Sequence, residues 1–372
     1  MALKILSVLL MLPLLPSYTI APALADDVIK PMSDLFRLVV VGDTGIGNDA
    51  FHEGFQEVQR AMVEEKPHLL LHVGDYIYNA DGSCRNEDLA ELEKSLVEPF
   101  NGAVVFARGD NDAESEFAGC WAQIATHNKL VDKPSDAREW EGVVDRNDFP
   151  LLIVVLDHDG FKTERDRKWL DARIQSAKRR GKWILVLVHD PVVNTSWYDY
   201  PCCESLRPFQ DMGVDLVISG HQHSFERTLP VHISASGKLE PLRDVKGNVY
   251  NRGDGVVYVI AGGGGALLRP FNDQQACGGE QKKNDPCQHK PPEEIRAVVG
   301  RRAIANHYVR VELTTQRVAV KAMLVCFVHT QDPRWHADNR AVWGYGARLE
   351  CDGRPPGIWE YDSFEIVRQD VK

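Results

Sequence analysis

The chain has 372 residues, 43 Lys and Arg against 54 Asp and Glu for a formal net charge of -11, and 44% hydrophobic residues. That length and apolar share support a large buried core, in one big domain or two ordinary ones. An acidic balance with no dense Lys/Arg block excludes non-specific nucleic-acid binding, but it admits a phosphate-bearing substrate if metal ions supply local positive charge.

Residues 1–25 read as a removable export signal. Lys4 lies in a short basic region, ILSVLLMLPLL is the apolar stretch, and Ala23-Leu24-Ala25 fits a small-residue cleavage site. Pro13 and Pro16 interrupt an apolar run already short for a bilayer span. The mature chain is therefore expected to be secreted or periplasmic, with no stable membrane anchor.

Six apolar runs then end in polar residues. LFRLVVV stops at Gly42-Asp43, HLLLHV at Gly74-Asp75 and AVVFAR at Gly109-Asp110. LLIVVL stops at Asp157-His158, WILVLV at His189-Asp190 and VDLVIS at Gly220-His221. Short runs rich in Val, Ile and Leu predict strands buried on both faces. Between them FHEGFQEVQRAMVEE, EDLAELEKSLVE and DRKWLDARIQSAKRR read as helices. Strands alternating with helices predict an α/β fold with helix-covered sheets. Later strands, VVYVIAG, HYVRVELT and RVAVKAML, have no helix between them and read as antiparallel. The pattern predicts one domain over 26–372, with a late insertion at about 327–358.

Eight cysteines are present without a C-x-x-C pair, which in an exported chain favours disulfides over a thiolate zinc site. Cys277 with Cys287 and Cys326 with Cys351 are the expected pairs, while adjacent Cys202 and Cys203 would each bond elsewhere.

Ligands of open α/β sheets bind beyond the carboxyl ends of the strands. Here those ends carry Asp43, Asp75, Asp110, His189, His221 and His223. Brought together, the carboxylates would repel one another strongly, and a cation removes that conflict. Oxygen and imidazole donors without thiolate suit iron, manganese or zinc, and there are enough of them for a bridged pair of ions. Tyr78, three residues after Asp75, could add a phenolate, a hard ligand that favours iron(III).

GDTG at Gly42, GDYIY at Gly74, VLVH ending at His189 and GHQHSFER from Gly220 resemble the calcineurin-like metallophosphoesterases. The Tyr after GD and the SFER after GHQH bring the chain nearest the purple acid phosphatases. The resemblance implies a four-layer α/β/β/α sandwich and two metal ions, Fe(III) with Fe(II), Zn(II) or Mn(II). It implies Asp43, Asp75, Tyr78 and His223 at the first ion. Asp75, Asp110, His189 and His221 would hold the second, with Asp75 bridging. The implied activity is hydrolysis of a small phosphate monoester, with diester hydrolysis on nucleotides or phospholipid headgroups as the alternative.

One departure stands out. Where the family has G-N-H-[DE], this chain has Gly109-Asp110-Asn111-Asp112. Asp110 replaces a ligand Asn and Asn111 a His that assists the leaving group, unless the register slips and Asn111 is the ligand. A chain that binds metal but catalyses weakly is therefore a third reading. Asp112, Asp190, Asp199, Tyr198 and His158 are candidate proton donors, Asn111 is expected to meet substrate phosphate, and Arg227 is expected either to meet that phosphate or to anchor its strand. The Gly262–Gly265 run is expected to be a tight turn near the site.

Overall fold

The computed structural model describes residues 35–48, 52–79, 81–113, 117–132, 141–160, 164–196, 205–242, 247–269, 271, 291–327 and 350–369. The export signal, Tyr198, Asp199, the Cys202-Cys203 pair, the Cys277-Cys287 pair and most of the 327–358 insertion lie outside them.

The first apolar runs form β1 (Phe36–Val41), β2 (Leu69–His72) and β3 (Val104–Phe106). The next are β4 (Gly142–Val144), β5 (Leu151–Val155), β6 (Trp183–Leu187) and β7 (Leu216–Ser219). Then come β8 (Phe225–Thr228), β9 (Val231–Ile233), β10 (Leu239–Pro241), β11 (Val249–Asn251) and β12 (Val257–Ala261). The last are β13 (Val299–Ala303), β14 (His307–Leu313), β15 (Arg317–Cys326) and β16 (Gly357–Val367). The helices are α1 (His52–Glu64), α2 (Asn86–Leu92), α3 (Ala118–Ile124), α4 (Glu164–Arg179), α5 (Arg207–Met212) and α6 (Glu293–Val298).

Two seven-stranded sheets result. One runs β11-β16-β15-β14-β1-β2-β3, the other β13-β8-β12-β7-β6-β5-β4. Three apolar layers hold them. One lies between the sheets, built from Leu38, Val40, Leu71, Val105, Ile153, Leu185, Ile218 and Val309. A second packs Phe55, Val58, Met62 and Trp121 of α1 and α3 on the outer face of the first sheet. The third packs Leu170, Ile174 and Ala177 of α4, with Phe209 of α5, on the second. Strands buried on both faces thus give the expected α/β/β/α sandwich.

Two details differ from expectation. β12 runs parallel to β7 and antiparallel only to β8, because the β8–β11 excursion between β7 and β12 returns the chain to the starting edge. A disulfide not foreseen, Cys84–Cys120, joins the loop after Tyr78 to α3, while Cys326–Cys351 forms as expected. The latter closes the insertion at its base, where Cys326 of β15 faces Gly357 of β16. Among the described residues no helix is long and apolar enough to cross a membrane.

Candidate metal centre

β1, β2 and β3 of one sheet and β6 and β7 of the other deliver their following loops to one place. Glycine makes the approach close enough. Gly74 sits at φ +102°, and a Cβ there would come within 2.6 Å of both Gly109 N and His189 Nδ1. A Cβ on Gly109 would lie 2.1 Å from Asp75 Oδ1. The Gly262–Gly265 run lies against the same loops, with Gly42 N–H donating to Ala261 O and Gly264 N–H to Gly42 O. Three candidate ligands themselves hold left-handed backbone, Asp43 at φ 55°, Asp75 at 56° and His221 at 67°. L-residues avoid that region unless their surroundings impose it, and such residues concentrate at functional sites.

The donors form two adjoining groups. Tyr78 Oη lies 3.0 Å from Asp75 Oδ2 and 3.3 Å from both Asp43 Oδ1 and His223 Nε2. His223 Nε2 is 3.3 Å from Asp43 Oδ1. In the second group His189 Nε2 lies 3.0 Å from Asp110 Oδ1 and 3.4 Å from Asp75 Oδ1, and His221 Nδ1 lies 2.9 Å from Asp110 Oδ1. Asp75 belongs to both. Neighbouring ligands on one ion, each about 2.1 Å from it, are about 3 Å apart in octahedral geometry, so this spacing fits metal coordination.

Second partners aim the imidazoles. His189 Nδ1 meets Val73 O at 2.7 Å and His223 Nδ1 meets Leu267 O at 2.6 Å, which leaves Nε2 of each facing the cluster. Exposure is lopsided: the side chains of Asp43 and His189 are sealed, while Asp110 is 42% exposed and His221 13%. The cleft therefore opens over the second group.

Crowding shows in the titration. Burial raises the Asp43 carboxyl to about 7, against the pull of His189. Burial, then the charges of Asp75 and Asp43, push the Tyr78 phenol well up. Burial works against the Asp110 carboxylate, but hydrogen bonds with His189 and His221 hold it far below the carboxylate range. A cation would replace the protons this cluster otherwise retains.

The G-D-N-D segment resolves its own ambiguity. Asp110, not Asn111, joins the imidazoles. Asn111 was expected to face phosphate, but its amide donates to Asp75 Oδ2 at 2.6 Å and its backbone N–H to Asp75 Oδ1 at 3.1 Å. Asp112 was expected to be a proton donor. It is buried, with Oδ2 accepting the N–H groups of Gly109 and Asp75 at 2.8 Å and Oδ1 that of Tyr76 at 3.2 Å. It clamps the two ligand loops together and cannot reach substrate.

Of the two roles expected of Arg227, contact with substrate phosphate is corrected. Its guanidinium is buried, bonded to both carboxylate oxygens of Asp362 and to Tyr250 Oη, so it anchors β8 to β16 and β11. Asp190 lies just past His189, partly exposed, its Oδ2 3.7 Å from His158 Nδ1. Sequence reading missed two arginines. Arg108 grips both oxygens of Asp157 across the sheets, a role its place before Gly109 could have suggested. Arg269, half-buried, acts electrostatically on Asp43, Tyr78 and His223, and no motif marks it.

Residues 36–225, just over half of the chain, match the family model described as calcineurin-like phosphoesterase. A protein of Arabidopsis thaliana named probable inactive purple acid phosphatase 1 is 25% identical over 268 residues, covering 64% of this chain and 43% of its own length. Acid phosphatase type 7 of Mus musculus is 26% identical over 264 residues, covering 63% and 56%. A shorter match, 34% identical over 99 residues, covers 24% of this chain and 21% of the Fe(3+)-Zn(2+) purple acid phosphatase 12 of Arabidopsis thaliana. The chain thus spans about half the length of the first two relatives. The structure of purple acid phosphatase PPD1 from yellow lupin seeds shares the fold, with a TM-score of 0.58 at 18% identity over 91% of this chain and 55% of that one.

Proposed function

Because the chain belongs to the calcineurin-like phosphoesterase family, we propose that it is an exported hydrolase of small phosphate monoesters, of the acid phosphatase type. The observation that carries the reading is the paired donor cluster sharing Asp75, open to solvent on one side. Asp43, Asp75, Tyr78 and His223 would hold one ion, and Asp75, Asp110, His189 and His221 the other. Bound metal supplies neutralisation of the phosphoryl oxygens and an acidified water. The chain's own residues do the rest. Asp112 fixes the loops of Asp75 and Asp110, Asn111 orients the shared carboxylate, and Arg269 adds positive charge beside the first position. The Tyr78 phenolate favours iron(III) there, with Fe(II), Zn(II) or Mn(II) at the second. The two disulfides agree with an oxidising compartment.

Elemental analysis beside an ester panel tests this. About two metal ions per chain and faster cleavage of monoesters than diesters are expected, and faster diester cleavage would reassign the substrate. A second reading, metal binding with weak catalysis, draws on the lack of an imidazole next to Asp110. No turnover of an activated ester by protein with a full metal complement would establish that reading instead.

A further inference from the structure

Position 111 carries no imidazole, so a proton donor must come from elsewhere. β5 lies beside β6 in parallel register, Val155 opposite Leu187, and the two chains leave the sheet side by side. His158 follows β5. Asp190, the residue after His189, donates its backbone N–H to His158 O at 2.7 Å, and its Oδ2 lies 3.7 Å from His158 Nδ1. On the other flank, Asp157 is gripped by Arg108, two residues before Asp110. His158 is thus held between the loops that deliver Asp110 and His189. Its Nδ1 and Asp190 Oδ1 are buried without a hydrogen-bond partner among the described residues. The side chain nonetheless keeps 23% exposure. With Nδ1 sealed, that exposure lies on the rest of the side chain.

We propose that His158 is the proton donor to the leaving group, oriented by Asp190. The proposal rests on the hydrolase reading above. Water adds to phosphorus opposite the ester oxygen, the ester P–O bond breaks, and its electron pair stays on the leaving oxygen. His158 Nε2–H protonates that oxygen, giving an alcohol and inorganic phosphate. The proton shed by the water goes to solvent, from which His158 is recharged. The charged groups around His158 are Asp190 beyond β6, Asp157 and Asp159 on its own turn, and Arg108 through Asp157. Asp190, against the effect of burial, raises the imidazole above its ordinary value, as a donor near neutral pH requires. The Asp157, His158 and Asp159 ligand atoms lie within 4.8 Å of one another. Arg108 already occupies both Asp157 oxygens, so this trio is not assigned a cation.

The test compares wild type, His158→Ala and His158→Gln, all metal-loaded, on 4-nitrophenyl phosphate and on an alkyl monoester. A good leaving group needs no proton, so kcat on it should fall less than about threefold, while kcat on the alkyl ester falls about 100-fold. The basic limb of the alkyl-ester pH profile should disappear, with metal content unchanged in both variants. Equal losses on the two esters, or none on either, would overturn the assignment. A wild type that hydrolyses neither ester removes the hydrolase reading and this proposal with it.

Discussion

Asp43 and Asp112 are buried acids that folding leaves protonated near neutrality, at about 7 and about 8 against an ordinary 3.8. For Asp112, burial leads and the charge of Asp75 adds to it. His189 is raised as well, since Asp75 and Asp110 outweigh its burial. In the metal-free protein all three bind protons more tightly when folded, so their stabilisation is complete at low pH and is lost as pH rises through the folded values. Buried His72, His223 and His307, held below their ordinary 6.5, act oppositely, but their effect ends once the unfolded chain's histidines are neutral. Between pH 6.5 and about 8 only the loss remains. The urea midpoint of metal-stripped protein should therefore fall across that window, and bound metal should remove the slope by displacing the protons. A midpoint that stays flat without metal would refute this protonation pattern. At this scale most candidate ligands were legible because they follow apolar runs. Asp112 was misread as a donor because its three amide partners are set by the folded loops, which no local pattern records.

β8 carries its chemistry on both faces. Glu226 turns toward Thr195, whereas Arg227 enters the inter-sheet layer and pairs with Asp362, 135 residues away. Removing one partner of a buried ion pair strands the other charge, which costs about 3–5 kcal/mol. Arg227→Ala should lose that much in urea unfolding while the folded fraction keeps its KM within about twofold. A raised KM with unchanged stability would return Arg227 to the substrate. SFER left anchoring open beside a phosphate contact, since the partner strand lies near the other end of the sequence. The parallel pairing of β12 was hidden for a similar reason. Strand direction depends on the path between strands, and β12 carries the same Val-rich signature in either direction.

Among the described residues, two seven-stranded sheets send their loops to one cluster. Asp43, Asp75, Tyr78 and Asp110 come from the first, and His189, His221 and His223 from the second. Ions held there would tie the sheets together. Binding to the folded state alone adds about 2.7 kcal/mol at 100 times Kd. Chelation should therefore lower Tm by several degrees, recoverable on adding metal back. An unchanged Tm would mean that no ion spans the two layers. The sandwich itself was largely legible, because apolar runs separated by amphipathic ones leave few architectures open.

The backbone twist at Asp43, Asp75 and His221 carries an energetic consequence. Each costs about 1–2 kcal/mol beyond what glycine would in the same conformation. Replacing any of the three with glycine relieves that tension, but at Asp43 it also removes the acceptor of the His221 N–H and at Asp75 the acceptor of both Asn111 bonds. The twist is thus set by what the side chains meet at the cluster, not by any preference of the backbone.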